Sequence, residues 1–391
     1  MTQVVTIKGF IPLYKNGEEA INIHLVELNE ILYKVVAQKT LYKIGDKALF
    51  ILPDWCLPDR PEFDSYISPN GDPSKSKLGK NNRIRAIKFN FSQDINTTDV
   101  TYSMGILMPL NSFPDLDLTS DLSEQIGITK YEEPETSKSG MNKGYMPSGM
   151  YKTDETNIET YKNLTFPNIY SGSLKVDGSS ITIYFRNSEE KGICSRNLEK
   201  QLNQSFVDYY TKGDEKITKY YHPELKCRGW IDEQKNFYNE PLEDWVPFYV
   251  EVDDTFIKLG LPILNKLEKW CLENNKQIAL RGELCGSGLK GSGNKNNPHS
   301  KLKQNILFFG ADDYSNGFTI PLPIETFTNI CNELEIETSP IIFTKRFNNV
   351  DEIMDECDKY FKSNLVEGIV VRSLDSSISC KVMNKEYDSK K

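Results

Sequence analysis

For its first 115 residues the chain carries one kind of apolar pattern, which narrows the folds open to it. VVTIKGF (4–10), YKVVAQ (33–38), KALFILP (47–53), NRIRAIKF (82–89) and GILMPL (105–110) are short runs rich in β-branched and aromatic residues. Gly, Asn, Asp and Pro separate them, as turns separate strands. About five such strands suit a small barrel. The pattern then breaks. Residues 132–149 (EEPETSKSGMNKGYMPSG) are polar, with Gly, Pro and Ser and no period, as in a linker.

The remainder mixes elements. Ile263, Leu264, Leu267, Trp270 and Cys271 recur at helical spacing, with Pro262 suited to a first helical turn. Phe327, Ile330, Cys331 and Leu334 follow the same period, as do Ile353, Met354, Cys357 and Phe361. Between them lie ITIYF (181–185), QIALRGEL (277–284), NILFFGA (305–311) and LVEGIVV (365–371), which read as strands. Strands and helices that do not alternate regularly predict antiparallel sheets with flanking helices. The expected fold is α+β: an all-β, OB-like barrel over 1–130, a linker over 131–149 and a mixed domain over 150–391. A chain of 391 residues is long enough for two cores.

With 38% hydrophobic and 26% charged residues the chain is of ordinary globular composition. No apolar stretch approaches the roughly 20 residues of a membrane helix. The N-terminus, MTQVVTIKGF, lacks the basic-then-apolar order of a secretory signal. The eight cysteines form no CxxC pair, which predicts reduced core thiols in a cytoplasmic protein. A net charge of −9 argues against a uniformly basic nucleic-acid face, but the signs are segregated. Lys75, Lys77, Lys80, Arg83, Arg85 and Lys88 crowd one stretch with no acid among them, and Lys290, Lys295, Lys301 and Lys303 form a second run. Either run alone reads better as an ordinary solvated loop.

Three charges sit where they look costly. Lys175 lies between Leu174 and Val176, Glu283 interrupts IALRGELCG, and Glu367 interrupts LVEGIVV. A charge in a buried strand costs several kcal/mol unless paired or bound. Each could lie on the wet face of a half-exposed strand, but two acids and one base in similar contexts point to a shared site. Asp177-Gly178 is a hairpin signal, so Lys175 is expected at a strand end before a tight turn. A lysine nucleophile attacks as the free amine, so its pKa would have to fall. Lys381 and Lys385 are candidates for the cations that lower it. Asp177, Glu283 and Glu367 are candidates for holding Mg²⁺ or its waters.

The ordered motifs resemble those of the covalent nucleotidyltransferases, and among them the ATP-dependent RNA ligases with an N-terminal OB module. K-x-D-G at Lys175–Gly178 is similar to motif I. CSRN (194–197) resembles the segment whose arginine, here Arg196, contacts nucleotide or RNA. RGELCGSGLKGSGN (281–294) resembles motif III, with Glu283 at the ribose. ILFFGADD (306–313) resembles the motif whose aromatic, Phe308 or Phe309, stacks on adenine. VEGIVVRS (366–373) is similar to motif IV, with Glu367 as the metal-site acid, and SCKVMNKEY (379–387) to motif V, with Lys381 on the α-phosphate. GITKYE (127–132) and MPSGMYKTDETNIET (146–160) resemble the approach to motif I.

The resemblance implies a nucleotidyltransferase fold for 150–391, ATP and Mg²⁺ or Mn²⁺ as cofactors, and nucleotide contacts from Lys175, Asp177, Gly178, Arg196, Glu283, Glu367, Lys381 and Lys385. It implies RNA with 5′-phosphate and 3′-OH ends as partner, a monomer, separate end-healing enzymes and no membrane. The stretch 75–88 would then track the RNA backbone. Only ten residues follow Lys381, and DNA ligases and capping enzymes carry an OB domain after motif V, so RNA ligase is favoured. The chain departs from the pattern at Leu174, where the family often has an acid, at Asn157, where it usually has arginine, and at Met383, with Lys385 two residues on. The rivals are a DNA ligase, a capping-type guanylyltransferase and a non-catalytic RNA-end-binding protein.

Overall fold

The computed structural model of the protein describes residues 2–131, 142–202, 205–223, 225, 227–251, 254–289 and 297–389. Its first sheet is antiparallel, in the order Ile106–Pro109, Lys47–Ile51, Thr2–Ile11, Ile23–Leu28, Val35–Gln38. The sheet curls until its edges meet. The Met104 N–H donates to the Lys34 carbonyl (3.0 Å), and the Val36 N–H donates to Ser103 Oγ (3.0 Å). Val5, Ile7, Val26, Ala48, Phe50 and Leu107 fill the interior. The alternate residues Leu49, Ile51, Ile106 and Met108 pack outward against Leu57, Phe63, Ile84 and Ile126. After exposed Lys47 this strand is apolar in succession, from Ala48 to Ile51, because both its faces are covered there.

Four of the five expected runs are barrel strands. The fifth, NRIRAIKF, contributes only Ile87–Phe89, which pairs with Thr101–Ser103 outside the barrel. Ile23–Leu28 takes its place; His24 and Glu27 interrupt the apolar signal of that strand.

The rest of the chain is α+β. A seven-stranded sheet runs Asn142–Tyr145, Leu198–Lys200, Lys191–Cys194, Ser179–Phe185, Ile278–Cys285, Asn305–Asp313, Ile320–Pro321. A five-stranded sheet runs Thr156–Asn157, Ser379–Met383, Gly368–Ser373, Asn168–Lys175, Ile341–Phe347. Pairing is antiparallel except between Thr156–Asn157 and Ser379–Met383. Helices Thr255–Asn274 and Ile324–Leu334 cover one face of the larger sheet, packing Leu264, Leu267, Phe327 and Ile330 on Ile181, Ile183, Leu280 and Phe308. Helix Val350–Ser363 covers the smaller sheet through Ile353 and Cys357. The remaining faces of the two sheets meet at Leu174, Val176, Cys285 and Val366.

All three expected helices are present, but the first starts earlier than its apolar period suggests. Asp254 caps it by accepting the Phe256 N–H (2.8 Å), which leaves Pro262 inside the helix rather than in its first turn. Of the expected linker, 132–141 lies outside the described residues, and Asn142–Tyr145 pairs with Leu198–Lys200. The acidic and aromatic segment 200–250 suggests no role in the sequence; strands between Ser205 and Glu251 build a third sheet there. The eight cysteines are free thiols, six of them buried. Among the described residues no helix is long and apolar enough to cross a membrane.

Candidate active site

The chain crosses from the five-stranded to the seven-stranded sheet just after Lys175. That residue ends its strand opposite Gly368, and Ser179 opens the next strand opposite Leu284. The two strands do not pair, so Asp177-Gly178 is a sheet-to-sheet crossover and not the expected hairpin turn. A Cβ on Gly178 would lie 2.4 Å from the Leu284 carbonyl oxygen, so only glycine passes here. Asp177 is buried and held at both ends. Its carboxylate accepts the Tyr387 hydroxyl (2.7 Å), and its carbonyl accepts Asn297 Nδ2 (2.7 Å). The crossover thereby presents Lys175 between the sheets.

Lys175 Nζ donates to Glu367 Oε2 at 2.5 Å. Glu367 is buried just before the strand Gly368–Ser373, and its carbonyl accepts the Asn384 N–H (2.9 Å). Glu283 faces the pair from the other sheet. Its carboxylate accepts no hydrogen bond from any described residue, and burial pushes its pKa up to about 8 against the pull of Lys175. Burial alone would lower the Lys175 pKa, but the carboxylates of Glu367 and Glu283 outweigh it and hold the ammonium above its ordinary value.

The protein's own side chains therefore hold Lys175 as the ammonium, and the expected depression of its pKa does not come from them. The cations expected to cause it lie elsewhere: Lys381 Nζ is 3.7 Å from Asp154, and Lys385 lies beside Glu159 and Asp358. Asp177, Glu283 and Glu367 do surround the ammonium, but among the described residues no group of three or more His, Cys, Asp or Glu side chains gathers into a metal cage. Glu367 is paired with Lys175 and Asp177 with Tyr387. Glu283, a half-buried carboxyl without a donor among the described residues, is the group that a nearby divalent cation would ionise. Such a donor set fits a hydrated cation better than one stripped of water.

A second cluster was hidden in the sequence. Asp154 collects Lys130, Lys381 (3.7 Å) and Arg196 (4.0 Å). Burial opposes ionisation, but the hydrogen bond from Lys130 and the charges of Lys381 and Arg196 hold the Asp154 carboxyl below its ordinary range. Nearby, Arg372 donates to Glu155 Oε1 (2.7 Å) and to the Phe309 carbonyl (3.0 Å), with its guanidinium 5.4 Å from the Phe309 ring centroid. Arg372 could have been found by the criterion that singled out Lys175, a charge in an apolar strand. Asp154, Asn297 and Tyr387 carried no comparable signal.

The two candidate aromatics separate cleanly. Phe308 is fully buried in the helix-covered core, opposite Gly282, so its ring is not available to a nucleotide. The pairing skips from Gly282↔Phe308 to Arg281↔Gly310, which leaves Phe309 as the extra residue of a β-bulge. A bulge re-aims the side chain it carries. Phe309 is half-buried, under Arg372.

The basic stretch also divides. Lys75, Lys77, Lys80 and Lys88 are exposed. Arg83 instead pairs with Asp54 and Asp388 (3.6 Å to the latter) and lies over Tyr131, while Arg85 Nε donates to the Lys77 carbonyl (2.9 Å). These arginines hold the fold, while Lys75 lies 3.6 Å from Asp72 at the surface. Lys290, Lys295 and the end of the 281–294 motif lie outside the described residues; Lys301 and Lys303 are exposed.

The fold has solved counterparts. The chain is similar to the Naegleria gruberi RNA ligase in its pyrophosphate complex, with a TM-score of 0.66, 19% identity and coverage of 99% of this chain and 97% of that one. An AMP- and manganese-bound point mutant of the same ligase gives a TM-score of 0.66 at 20% identity, covering 100% and 98%. An apo mutant gives 0.65 at 20% identity, covering 100% and 97%. No curated protein matches the chain in sequence. The model of the family described as RNA ligase matches residues 170–386, a span that holds Lys175, Glu283, Phe309, Glu367 and Lys381 and exceeds half of the chain. By that match, which begins five residues before Lys175, the chain belongs to the RNA ligase family.

Proposed function

We propose that this RNA ligase uses ATP and a divalent metal to seal a 3′-OH to a 5′-phosphate through a lysyl-AMP at Lys175. The observation that carries the reading is the Lys175 ammonium at a strand end between two sheets, 2.5 Å from Glu367 and facing Glu283. The similar Naegleria ligase, solved with AMP and manganese, supports the choice of nucleotide and metal.

Three displacements at phosphorus follow. Lys175, once its proton has left, attacks the α-phosphorus; a P–N bond forms and the P–O bond to pyrophosphate breaks. An oxygen of the RNA 5′-phosphate then attacks the same phosphorus, the P–N bond breaks and the amine is restored. Finally the 3′-OH attacks the 5′-phosphate and AMP leaves. Positioning and charge stabilisation supply most of the catalysis in such steps. Glu367 holds the lysine on line and must release it before attack. Glu283, Glu367 and Asp177 are the residues that would hold Mg²⁺ or Mn²⁺ or its waters. A divalent cation there would neutralise phosphate charge and favour the free amine. Lys381 and Arg196, now turned to Asp154, are the cations available to phosphate oxygens. Phe309 offers its ring to adenine.

In this reading residues 1–130 bind RNA, and the two-sheet unit that begins with the strand Asn142–Tyr145 performs adenylyl transfer. Exposed Lys75, Lys77, Lys80 and Lys88 contact the RNA backbone, so sealing weakens as salt rises. The test incubates the protein with ATP, Mg²⁺ or Mn²⁺ and 5′-phosphate/3′-OH RNA as nicked duplex, stem-loop and single strand. Joined product or RNA-adenylate is expected on at least one. Replacing Lys75, Lys77 and Lys80 with alanine should cut sealing about tenfold at moderate salt while sparing self-adenylylation. Neither product on any RNA would sink the proposal.

A further inference from the structure

Residues 205–251 form a sheet whose two faces differ. Its order is Phe237–Tyr238, Cys227–Ile231, Glu215–His222, Ser205–Lys212, Val246–Glu251. One face is covered. Buried Trp245 packs on Tyr238 (ring centroids 5.0 Å apart) and Tyr210 (5.7 Å), with Trp230 edge-on to Tyr210 and Ile217 buried beside them.

The other face is bare and aromatic. The register sets Tyr209 against Phe248 and Thr218, and Tyr220 against Gly229. Tyr209 and Phe248 stack at 4.6 Å with an interplanar angle of 11°. Tyr220, His222 and Phe237 form an edge-on cluster with centroids 5.0–6.2 Å apart. Phe248 is 49% and Tyr220 39% exposed, more than aromatic rings in a folded sheet ordinarily are. Lys216 Nζ lies 3.8 Å from the Tyr209 ring centroid. A Cβ on Gly229 would fall 2.5 Å from the Phe237 ring, so the glycine lets that ring lie across the strand. The paired positions on this face carry Lys216 and no acid, although the chain's net charge is −9.

We infer that this face stacks unpaired bases of the RNA, apart from the adenylyl-transfer site; the inference rests on RNA being the substrate. Rings presented flat on a sheet offer π-faces to bases whatever their sequence, and an ammonium among them meets phosphate. A face whose paired positions hold a lysine and no acid, on an acidic chain, complements a polyanion.

The test uses the full chain. Tyr209→Ala, Tyr220→Ala and their combination are compared with Tyr209→Phe, Tyr220→Phe and, from the opposite face, Tyr221→Ala. The probes are a 5′-phosphorylated single-stranded RNA and a blunt RNA duplex, with self-adenylylation measured alongside. The double alanine variant should bind the single strand about tenfold or more weakly, with duplex binding and adenylylation unchanged. The phenylalanine variants and Tyr221→Ala should bind like wild type. Wild-type affinity for the single strand in the double alanine variant overturns the inference, and is the result if the face serves a protein partner instead. A wild-type protein that neither adenylylates nor binds RNA would overturn the functional reading itself.

Discussion

Glu283 and Phe309 show how much one residue's surroundings decide. Glu283 is raised by burial from the ordinary 4.5 to about 8, so between those values the folded state keeps a proton that the unfolded state has lost. The stability carried by that proton is present below the lower value and is lost as pH rises through the upper one. Glu283→Gln is neutral at every pH. Wild-type Tm should therefore fall relative to the variant between about pH 5 and about pH 8.5; a constant difference contradicts the assignment. The adjacent phenylalanines make a matched pair. Phe308→Ala empties a core position and should cost about 3–5 kcal/mol of stability. Phe309→Ala should leave stability nearly intact but raise the KM for ATP about tenfold by removing a stacking partner. Equal effects in chemical melts and ATP titrations would mean that the bulge does not separate them. The sequence offered FF without a way to choose, because an inserted residue resets the alternation and is visible only once the partner strand is known.

Among the elements, the short helix Lys385–Ser389 does more than its length suggests. Tyr387 fixes the Asp177 carboxylate, and the next residue, Asp388, accepts the Ala86 N–H (2.9 Å) and faces Arg83. One turn of helix thus ties the lysine crossover to the stretch of chain after the barrel's fourth strand. Asp388→Ala leaves a buried amide without its acceptor and should cost about 1–3 kcal/mol, read as a lower denaturant midpoint. An unchanged midpoint would show that water replaces the carboxylate. Elements like this were poorly legible: five residues give no period to detect. The long helices were legible because their apolar faces repeat over several turns. Strand runs were legible, but not which sheet each joins. Asp177-Gly178 signals a turn equally well for a hairpin and for a crossover.

For the whole molecule, the order of the motifs along the chain located the site better than any single pattern did. Lys175, Glu283 and Glu367 stand on elements 84 or more residues apart in sequence, yet they meet where two sheets face each other. Their shared signal was the same physical oddity, a charge where an apolar strand should continue. The Asp154 cluster escaped notice, and the acidic and aromatic residues of 200–250 were left without a role, because charges and scattered aromatics look ordinary until folding places them together. Every step proposed for this site turns on Lys175 as the residue that carries AMP. Incubation with ATP labelled at the α-phosphate and a divalent metal, followed by denaturing electrophoresis, measures that directly. Label should stay on the wild-type protein, be released by pyrophosphate, and be absent from Lys175→Ala; label retained by Lys175→Ala, or no label on wild type with either Mg²⁺ or Mn²⁺, would contradict it.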